Sequence, residues 1–198
     1  GKYTALADWN AGHAITGEYL CPVIEGMTRD AVDAVRSCCT GLAEGDENAF
    51  EQLTYGLILS GLAMQLMGNS RPASGSEHHV SHLIEMQAAA FPFHSDALHG
   101  EKVGVGTILI SRACHKLAEI EDITPYVHPY SMIPASQLEP FYGPALYPSI
   151  VEENKKDCME GVTPEMLIKA WPEIRRIIST IPAPEELSAL YEKIGAKK

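Results

Sequence analysis

Helical periodicity and helix-capping signals recur along this chain, whereas the alternating pattern of a half-buried β-strand does not. Two of the signals place a proline at the first helical position, after Thr163 and after Ala183. Proline is favoured there because the N–H that it lacks would have no partner within the helix. The sequence therefore predicts an all-α protein, a multi-helix bundle.

The first third of the chain contains three segments with helical patterns. A helix is predicted over residues 3–15, and Thr28 can cap a second helix that ends near Gly45. Asp46 can cap a third helix, which ends near Gly68 and is strongly apolar. This third helix is predicted to be the central, buried helix of the bundle.

Prolines are dense between residues 124 and 147, which contain five of the thirteen in the chain. Such a density predicts a packed and mostly irregular crossing, with room for one short helix, rather than a domain boundary. A chain of 198 residues, 45% of them hydrophobic, can bury a substantial core as one domain. We therefore expect residues 1–198 to form a single helical domain.

Composition argues against several functions. The net charge of −11 disfavours nucleic-acid binding, which needs a basic face to neutralise phosphates. No apolar run reaches the length of a membrane span and no signal peptide is recognisable, so we expect no membrane insertion and a cytoplasmic location. The five cysteines are odd in number and lack the C-x-x-C spacing of a structural zinc site. Buried free thiols in a reducing cytosol are therefore expected.

Four of the eight histidines lie close together in the sequence, beside a turn rich in serine and glycine. His78 and His82 are four residues apart, so on a helix their rings emerge from one face. Glu85 lies on the same stripe, whereas His79 points about 100° away from it. Two imidazoles on one face can share a single site.

His99 is predicted to lie near the start of the following helix. The two helices are expected over about residues 76–90 and 96–120, and an antiparallel arrangement would bring His99 back to His78. A catalytic divalent metal usually has three histidine or carboxylate ligands and one open position, and the residues here visibly supply two. The alternative is that each histidine is an ordinary surface or core residue.

The turn before the first histidine contains a second group of candidate residues, Ser70, Arg71, Ser74 and Ser76. They precede a helix N-terminus, where unpaired N–H groups and the helix dipole favour an anion such as a phosphate. Two alternatives remain open: Arg71 can tie the loop to the bundle, and Ser74 and Ser76 can cap the helix.

Three sequence elements carry a family resemblance: KYTALADW near the start, then SRPASGSEHHVSH and LHGEKVGVG within residues 69–106. All three resemble elements of the sn-glycerol-1-phosphate dehydrogenases, which share a superfamily with iron-containing alcohol dehydrogenases, glycerol dehydrogenase and dehydroquinate synthase. The tail, from WPEIR onwards, resembles the last helices of that family. The resemblance implies the C-terminal metal-binding domain of a dehydroquinate synthase-like fold.

Carried over by position, the resemblance implies roles for three residues. His78 and His99 would be metal ligands, and His82 would be the catalytic neighbour that faces the substrate. Lys102, one turn beyond His99, can face the phosphate or the cofactor, with a solvated or salt-bridged lysine as the alternative. The family's third ligand, an aspartate, would precede KYTALADW and is expected to be absent from this chain, and Asp8 is interpreted as structural.

The resemblance also implies an N-terminal Rossmann-like domain that holds NAD or NADP, which we expect to be absent from this chain. The glycines of residues 100–106 do not have the G-x-G-x-x-G spacing of a dinucleotide site, and are predicted to let two helices approach closely. Without a cofactor domain, this chain alone is expected to be inactive.

For the whole protein, the implied reaction is hydride transfer between NAD(P)H and dihydroxyacetone phosphate, giving sn-glycerol 1-phosphate for phospholipid biosynthesis. The implied metal is zinc, with nickel and iron as alternatives, and family members often form homo-oligomers. Two other functions remain open: a glycerol or polyol dehydrogenase or dehydroquinate synthase-like domain, and a non-catalytic helical interaction module. The element SRPASGSEH favours the phosphate-specific branch.

Overall fold

The computed structural model describes residues 1–93, 95–155 and 157–196, and every regular element in these residues is helical. None of the described helices is long and apolar enough to cross a membrane. The all-α prediction is confirmed. The elements are α1 (Lys2–Thr16), α2 (Pro22–Glu44), α3 (Glu47–Met67), α4 (Ser76–Glu85), α5 (His99–Ala118), a 3-10 turn (Thr124–Tyr126), α6 (Ala135–Glu153), α7 (Pro164–Ile178) and α8 (Pro184–Lys193).

Three of the predicted helix starts are confirmed. The side chain of Asp46 accepts a hydrogen bond from the backbone N–H of Asn48, and Thr163 accepts one from Met166. Pro184 occupies the first position of α8. In each case residues next to the first turn determine where the helix begins, so the start could be predicted from the sequence alone.

Thr28 is not the cap of α2, because the helix already begins at Pro22. The Thr28 hydroxyl donates to the carbonyl of Ile24, 3.1 Å away and one turn earlier in the same helix. The predicted bounds of the two histidine-bearing helices are also wrong. Helix α4 ends at Glu85 rather than near residue 90, and α5 begins at His99 rather than near residue 96, after an extended Leu98.

The proline-rich segment is more helical than predicted, because α6 spans much of it. The helix is broken at Gly143, whose φ of 77° lies in the left-handed region. The break places Pro144 at the first position of the second piece, where its missing N–H would have no helical partner, while Pro140 and Pro148 lie inside the two pieces.

The prediction that α3 is the central buried helix is wrong. Its buried residues are all small, and they pack against α2: Gly56, for example, leaves room for the carbonyl of Ala31, 2.9 Å from where a Cβ would lie. A helix that is apolar on every side gives no signal for which face is buried. The large side chains are about half exposed, namely Phe50, Tyr55, Leu57, Ile58, Leu62 and Leu66.

The main apolar core lies between α1 and α7, where Ala7 packs among residues of the last third of the chain. Trp171 is 6% exposed, and its indole N–H donates to the carbonyl of Ile120 at 3.0 Å. Ile174, Ile177 and Ile178 complete this layer. All five cysteines are free thiols, as predicted, but only Cys38 is buried and Cys158 is exposed, so the prediction that they are buried is wrong for most of them.

Candidate metal and substrate site

Helices α4 and α5 pack against each other at unusually close range. A Cβ on Gly106 would lie 2.4 Å from the carbonyl oxygen of Glu77, so only glycine allows this approach. Glu77 near the start of α4 contacts Gly106 in α5, while Glu85 at the end of α4 contacts His99 at the start of α5. The two helices are therefore antiparallel, and the predicted role of the glycines is confirmed at Gly106 but not at Gly100, which meets nothing within 4 Å.

This packing brings the rings of three histidines together. The ring centroids are 6.2 Å apart for His78 and His82, 5.5 Å for His78 and His99, and 5.7 Å for His82 and His99. His79, the neighbour on α4, is exposed. We call His78, His82 and His99 the histidine cluster.

Glu85 bridges two members of the cluster. Its carboxylate lies 2.8 Å from Nδ1 of His99 and 3.1 Å from Nδ1 of His82. The pKa of Glu85 is lowered chiefly by the hydrogen bond from His99, which outweighs the opposing effect of burial, and the hydrogen bond from His82 adds a smaller lowering. Glu85 was not among the predicted site residues, although its spacing of three residues from His82 placed it on the same stripe.

The chemistry of this donor set fits a divalent metal. Ligand atoms of His82, Glu85 and His99 all lie within 4.8 Å of one another, on exposed or half-exposed side chains. Two imidazole nitrogens and a carboxylate oxygen are ligands that zinc and similar metals accept, with a fourth position left for a substrate. His78 lies against this group through its ring contacts.

Behind the cluster lies a carboxylate that sequence reasoning missed. Glu77 is fully buried, and its Oε1 atom is 2.6 Å from Nδ1 of His78. The same carboxylate accepts from the backbone N–H of Gly75 at 3.0 Å and from the Thr4 hydroxyl at 2.7 Å. Burial opposes ionisation, but these hydrogen bonds outweigh it and lower the pKa of Glu77. Adjacent helical residues do not normally face each other, so no spacing rule predicts the Glu77–His78 contact.

Arg71 lies in an ion-pair network with α1 and the loop that follows it. Its guanidinium contacts Oδ2 of Asp8 at 3.3 Å and Oε2 of Glu18 at 3.1 Å, and it donates to the Asp8 carbonyl at 3.2 Å. These contacts match the alternative in which Arg71 ties the loop to the bundle. Asp8 also accepts from the backbone N–H of Ser76 at 2.9 Å, which agrees with its interpretation as structural.

The serines of the turn do not cap α4. The N-cap residue is Gly75, with no side-chain cap bond, because Asp8 from α1 takes the first helical N–H instead. Ser74 is half-buried, and the carbonyl of Ser70 accepts from the backbone N–H groups of Ala73 and Ser74, both at 2.9 Å. The N–H groups of Gly75 and Ser76, which a phosphate would use, thus donate to carboxylates of the protein.

Lys102 lies one turn after His99 on α5. It lines a cavity of about 1050 Å³ together with Leu98 and Val105, and its positive charge favours the ionised form of Glu85. None of the three clustered histidines lines this cavity. Lys102 therefore lines a large open groove and also acts electrostatically on Glu85 beside the histidine cluster.

The chain resembles curated proteins named glycerol-1-phosphate dehydrogenase (NAD(P)+). It is 31% identical to the protein of Geobacillus thermodenitrificans over 194 residues, which are 98% of this chain and 41% of that protein. It is 43% identical to that of Halalkalibacterium halodurans over 111 residues, or 56% of this chain and 28% of that protein. The protein of Pyrococcus furiosus is 35% identical over 108 residues, or 54% of this chain and 30% of that protein.

The chain is a homologue of the glycerol-1-phosphate dehydrogenases. It spans about two fifths of the length of the Geobacillus thermodenitrificans protein, and the matched part is C-terminal. The predicted fold class, the C-terminal helical part of a dehydroquinate synthase-like fold, is confirmed. No protein-family model matches this chain.

Proposed function

We propose that this homologue is the metal- and substrate-binding domain, over residues 1–198, of an NAD(P)-dependent sn-glycerol-1-phosphate dehydrogenase. The whole protein would interconvert dihydroxyacetone phosphate and sn-glycerol 1-phosphate, with NAD or NADP bound mainly outside this chain. The observation that carries the proposal is the histidine cluster on two closely packed helices, in a chain whose relatives bear that name.

The proposed metal site uses His78 and His99, with Glu85 as a carboxylate within reach. His99 belongs both to this pair and to the group of His82, Glu85 and His99 whose ligand atoms lie within 4.8 Å. When bound, a divalent metal such as zinc, nickel or iron would act as a Lewis acid on a substrate oxygen.

His82 is the proposed catalytic residue. Its side chain is half exposed and its Nδ1 atom lies 3.1 Å from the Glu85 carboxylate. Because an ionised carboxylate only accepts, Nδ1 must carry the proton, and Nε2 of a neutral ring is then free to accept one. His82 would take the proton of a substrate hydroxyl as hydride leaves the adjacent carbon, and return it in the reverse direction.

The proposed phosphate contacts come from two regions of the chain. Lys102 is the stronger cation for this role, because two carboxylates already neutralise Arg71. Ser70, Ser74 and Ser76 would contribute hydroxyl groups, since the backbone N–H groups of their turn are largely used within the protein.

Calorimetry with zinc and nickel tests the metal site. We expect one site in the wild type, loss of binding in His99→Ala, and an affinity at least about tenfold lower in His78→Ala, while His79→Ala, an exposed neighbour on α4, binds as the wild type does. If Glu85→Gln and His82→Ala abolish binding while His78→Ala keeps it, the ligand set is His82, Glu85 and His99 instead.

Binding that survives all of these variants would refute the proposed site and favour a helical interaction module. The substrate is tested with the whole protein. Oxidation of sn-glycerol 1-phosphate but not of glycerol supports the proposal, and the reverse preference supports a polyol dehydrogenase.

A further inference from the structure

The proposed reaction makes no use of Glu77, although this is the most deeply buried carboxylate beside the histidine cluster. Its side chain is 0% exposed, and the imidazole that it contacts, His78, is 20% exposed. One carboxylate oxygen accepts a hydrogen bond from the backbone N–H of Gly75 and faces Nδ1 of His78, and the other accepts one from the Thr4 hydroxyl. A buried charge is expensive unless it is paired in this way, so the position calls for a reason.

The backbone around Glu77 is held on two sides. A Cβ on Gly75 would lie 3.1 Å from Oε2 of Glu77 and 2.8 Å from the Cα atom of Ala5, so α1 closes one side. On the other side Gly106 of α5 lies against the Glu77 carbonyl. With helices α1 and α5 in contact with it, the Glu77 carboxylate has no room to turn toward solvent.

The chemistry of the contact determines which nitrogen of His78 carries the proton. An ionised carboxylate has only lone pairs to offer, so the imidazole must donate from Nδ1, and Nε2 of the neutral ring keeps its lone pair. A metal binds the neutral nitrogen, and a carboxylate on the opposite nitrogen orients the ring and raises its basicity.

We propose that Glu77 is a positioning residue for His78: it holds the ring in the tautomer protonated at Nδ1 and leaves Nε2 as the nitrogen for a metal. The inference rests on the proposed function in that His78 is taken as a ligand. Thr4 extends the arrangement into α1, which connects the site to the first helix of the domain.

Glu77→Gln tests this role with little change in volume. Its amide oxygen can still accept from Gly75 and His78, and the Thr4 hydroxyl can turn to accept from the amide nitrogen, so the variant should fold. The amide carries no charge, so it holds the Nδ1 proton of His78 less strongly and no longer raises the basicity of Nε2. Glu173→Gln, an exposed residue paired with Arg176 on α7, makes the same change in net charge far from the site. Ser111→Ala removes a different buried hydrogen bond, to the carbonyl of Pro182, and controls for a general loss of stability.

Two measurements are made on each protein: zinc affinity by calorimetry, and the protonated nitrogen of His78 by ¹⁵N NMR of the metal-free chain. We expect Nδ1 to be protonated in the wild type, and zinc affinity about 10–100-fold lower in Glu77→Gln than in either control. The inference is overturned if Nε2 carries the proton in the wild type, or if Glu77→Gln binds zinc within about twofold of the controls.

The two proposals fail in different ways. If the wild type binds no zinc, the metal site of the proposed function fails, while the His78 tautomer still decides whether Glu77 orients the ring. If the wild type binds zinc and His78→Ala does not, the metal site is supported, and the Glu77 variant alone decides the positioning role.

Discussion

Two buried regions of this chain differ in the polarity of their side chains. The apolar core between α1 and α7 consists of Ala7, Trp171 and the isoleucines beside them. Apart from the hydrogen bond of the indole N–H, these side chains make van der Waals contacts, which do not depend on orientation. The interior between α4 and α5 contains two polar residues that are 0% exposed, Glu77 and Ser81, which we call the polar interior.

This difference in polarity gives the two regions different roles: the apolar core stabilises the fold, and the polar interior positions the site. Apolar burial stabilises roughly in proportion to area, whatever the orientation of the side chain. A buried carboxylate or hydroxyl contributes little net stability, yet it costs a great deal when its partner is lost, so it holds its neighbours in one arrangement. We therefore expect damage to the apolar core to unfold the domain, and damage to the polar interior to impair the site.

Trp171→Ala should have the largest effect on stability. The change removes a large buried side chain and the hydrogen bond of its indole to Ile120, and we expect a loss of about 3–5 kcal/mol in the free energy of unfolding. Urea denaturation measures it. In the folded fraction, zinc affinity should stay close to that of the wild type. A variant that remains stable but no longer binds zinc would show that the apolar core also positions the metal site, against the proposed division of roles.

Gly106→Ala should affect both properties at once. A methyl group 2.4 Å from the Glu77 carbonyl forces α4 and α5 apart, which should cost about 1–3 kcal/mol in stability and lower zinc affinity because His99 moves away from His78. Gly100→Ala is the matched control on the same helix, where a Cβ meets nothing within 4 Å. It should leave stability unchanged or raise it slightly. Equal effects of the two substitutions would show that close packing at Gly106 is unimportant.

The sequence predicted those parts of the structure that local rules govern. Asp46 and Thr163 cap their helices through contacts two or three residues away, and the four-residue spacing of His78 and His82 placed both rings on one face. These features depend only on neighbours along the chain.

Features that depend on residues far away in the sequence were missed. Asp8 caps α4 across 68 residues, and the Glu77–Thr4 hydrogen bond spans 73. The local serines therefore looked like the natural caps of α4. The buried face of α3 was missed for a related reason, since its small residues become informative only once α2 lies against them.

The reactivity of Cys114 is the smallest expected effect, and it tests how far the two buried regions influence each other. This thiol packs against the apolar core, and it is affected by the charge of Asp8, which accepts from the backbone N–H of Ser76 at the start of α4. Burial raises the pKa of Cys114 to about 11, and the negative charge of Asp8 adds to the effect. At pH 8 the thiolate fraction should then be about 100-fold below that of a thiol with a pKa near 9, so iodoacetamide should label Cys114 far more slowly than the exposed Cys158.

Mass spectrometry of each cysteine over time measures these rates. Asp8→Asn should speed the labelling of Cys114 only a few-fold, because burial is the larger cause of the shift and the asparagine oxygen can still accept from Ser76. Labelling of Cys114 as fast as that of Cys158 would mean that the apolar core opens readily around the thiol. A large acceleration in Asp8→Asn would instead mean that the charge of Asp8, not burial, protects the thiol, and that a residue beside the polar interior controls the chemistry of the apolar core.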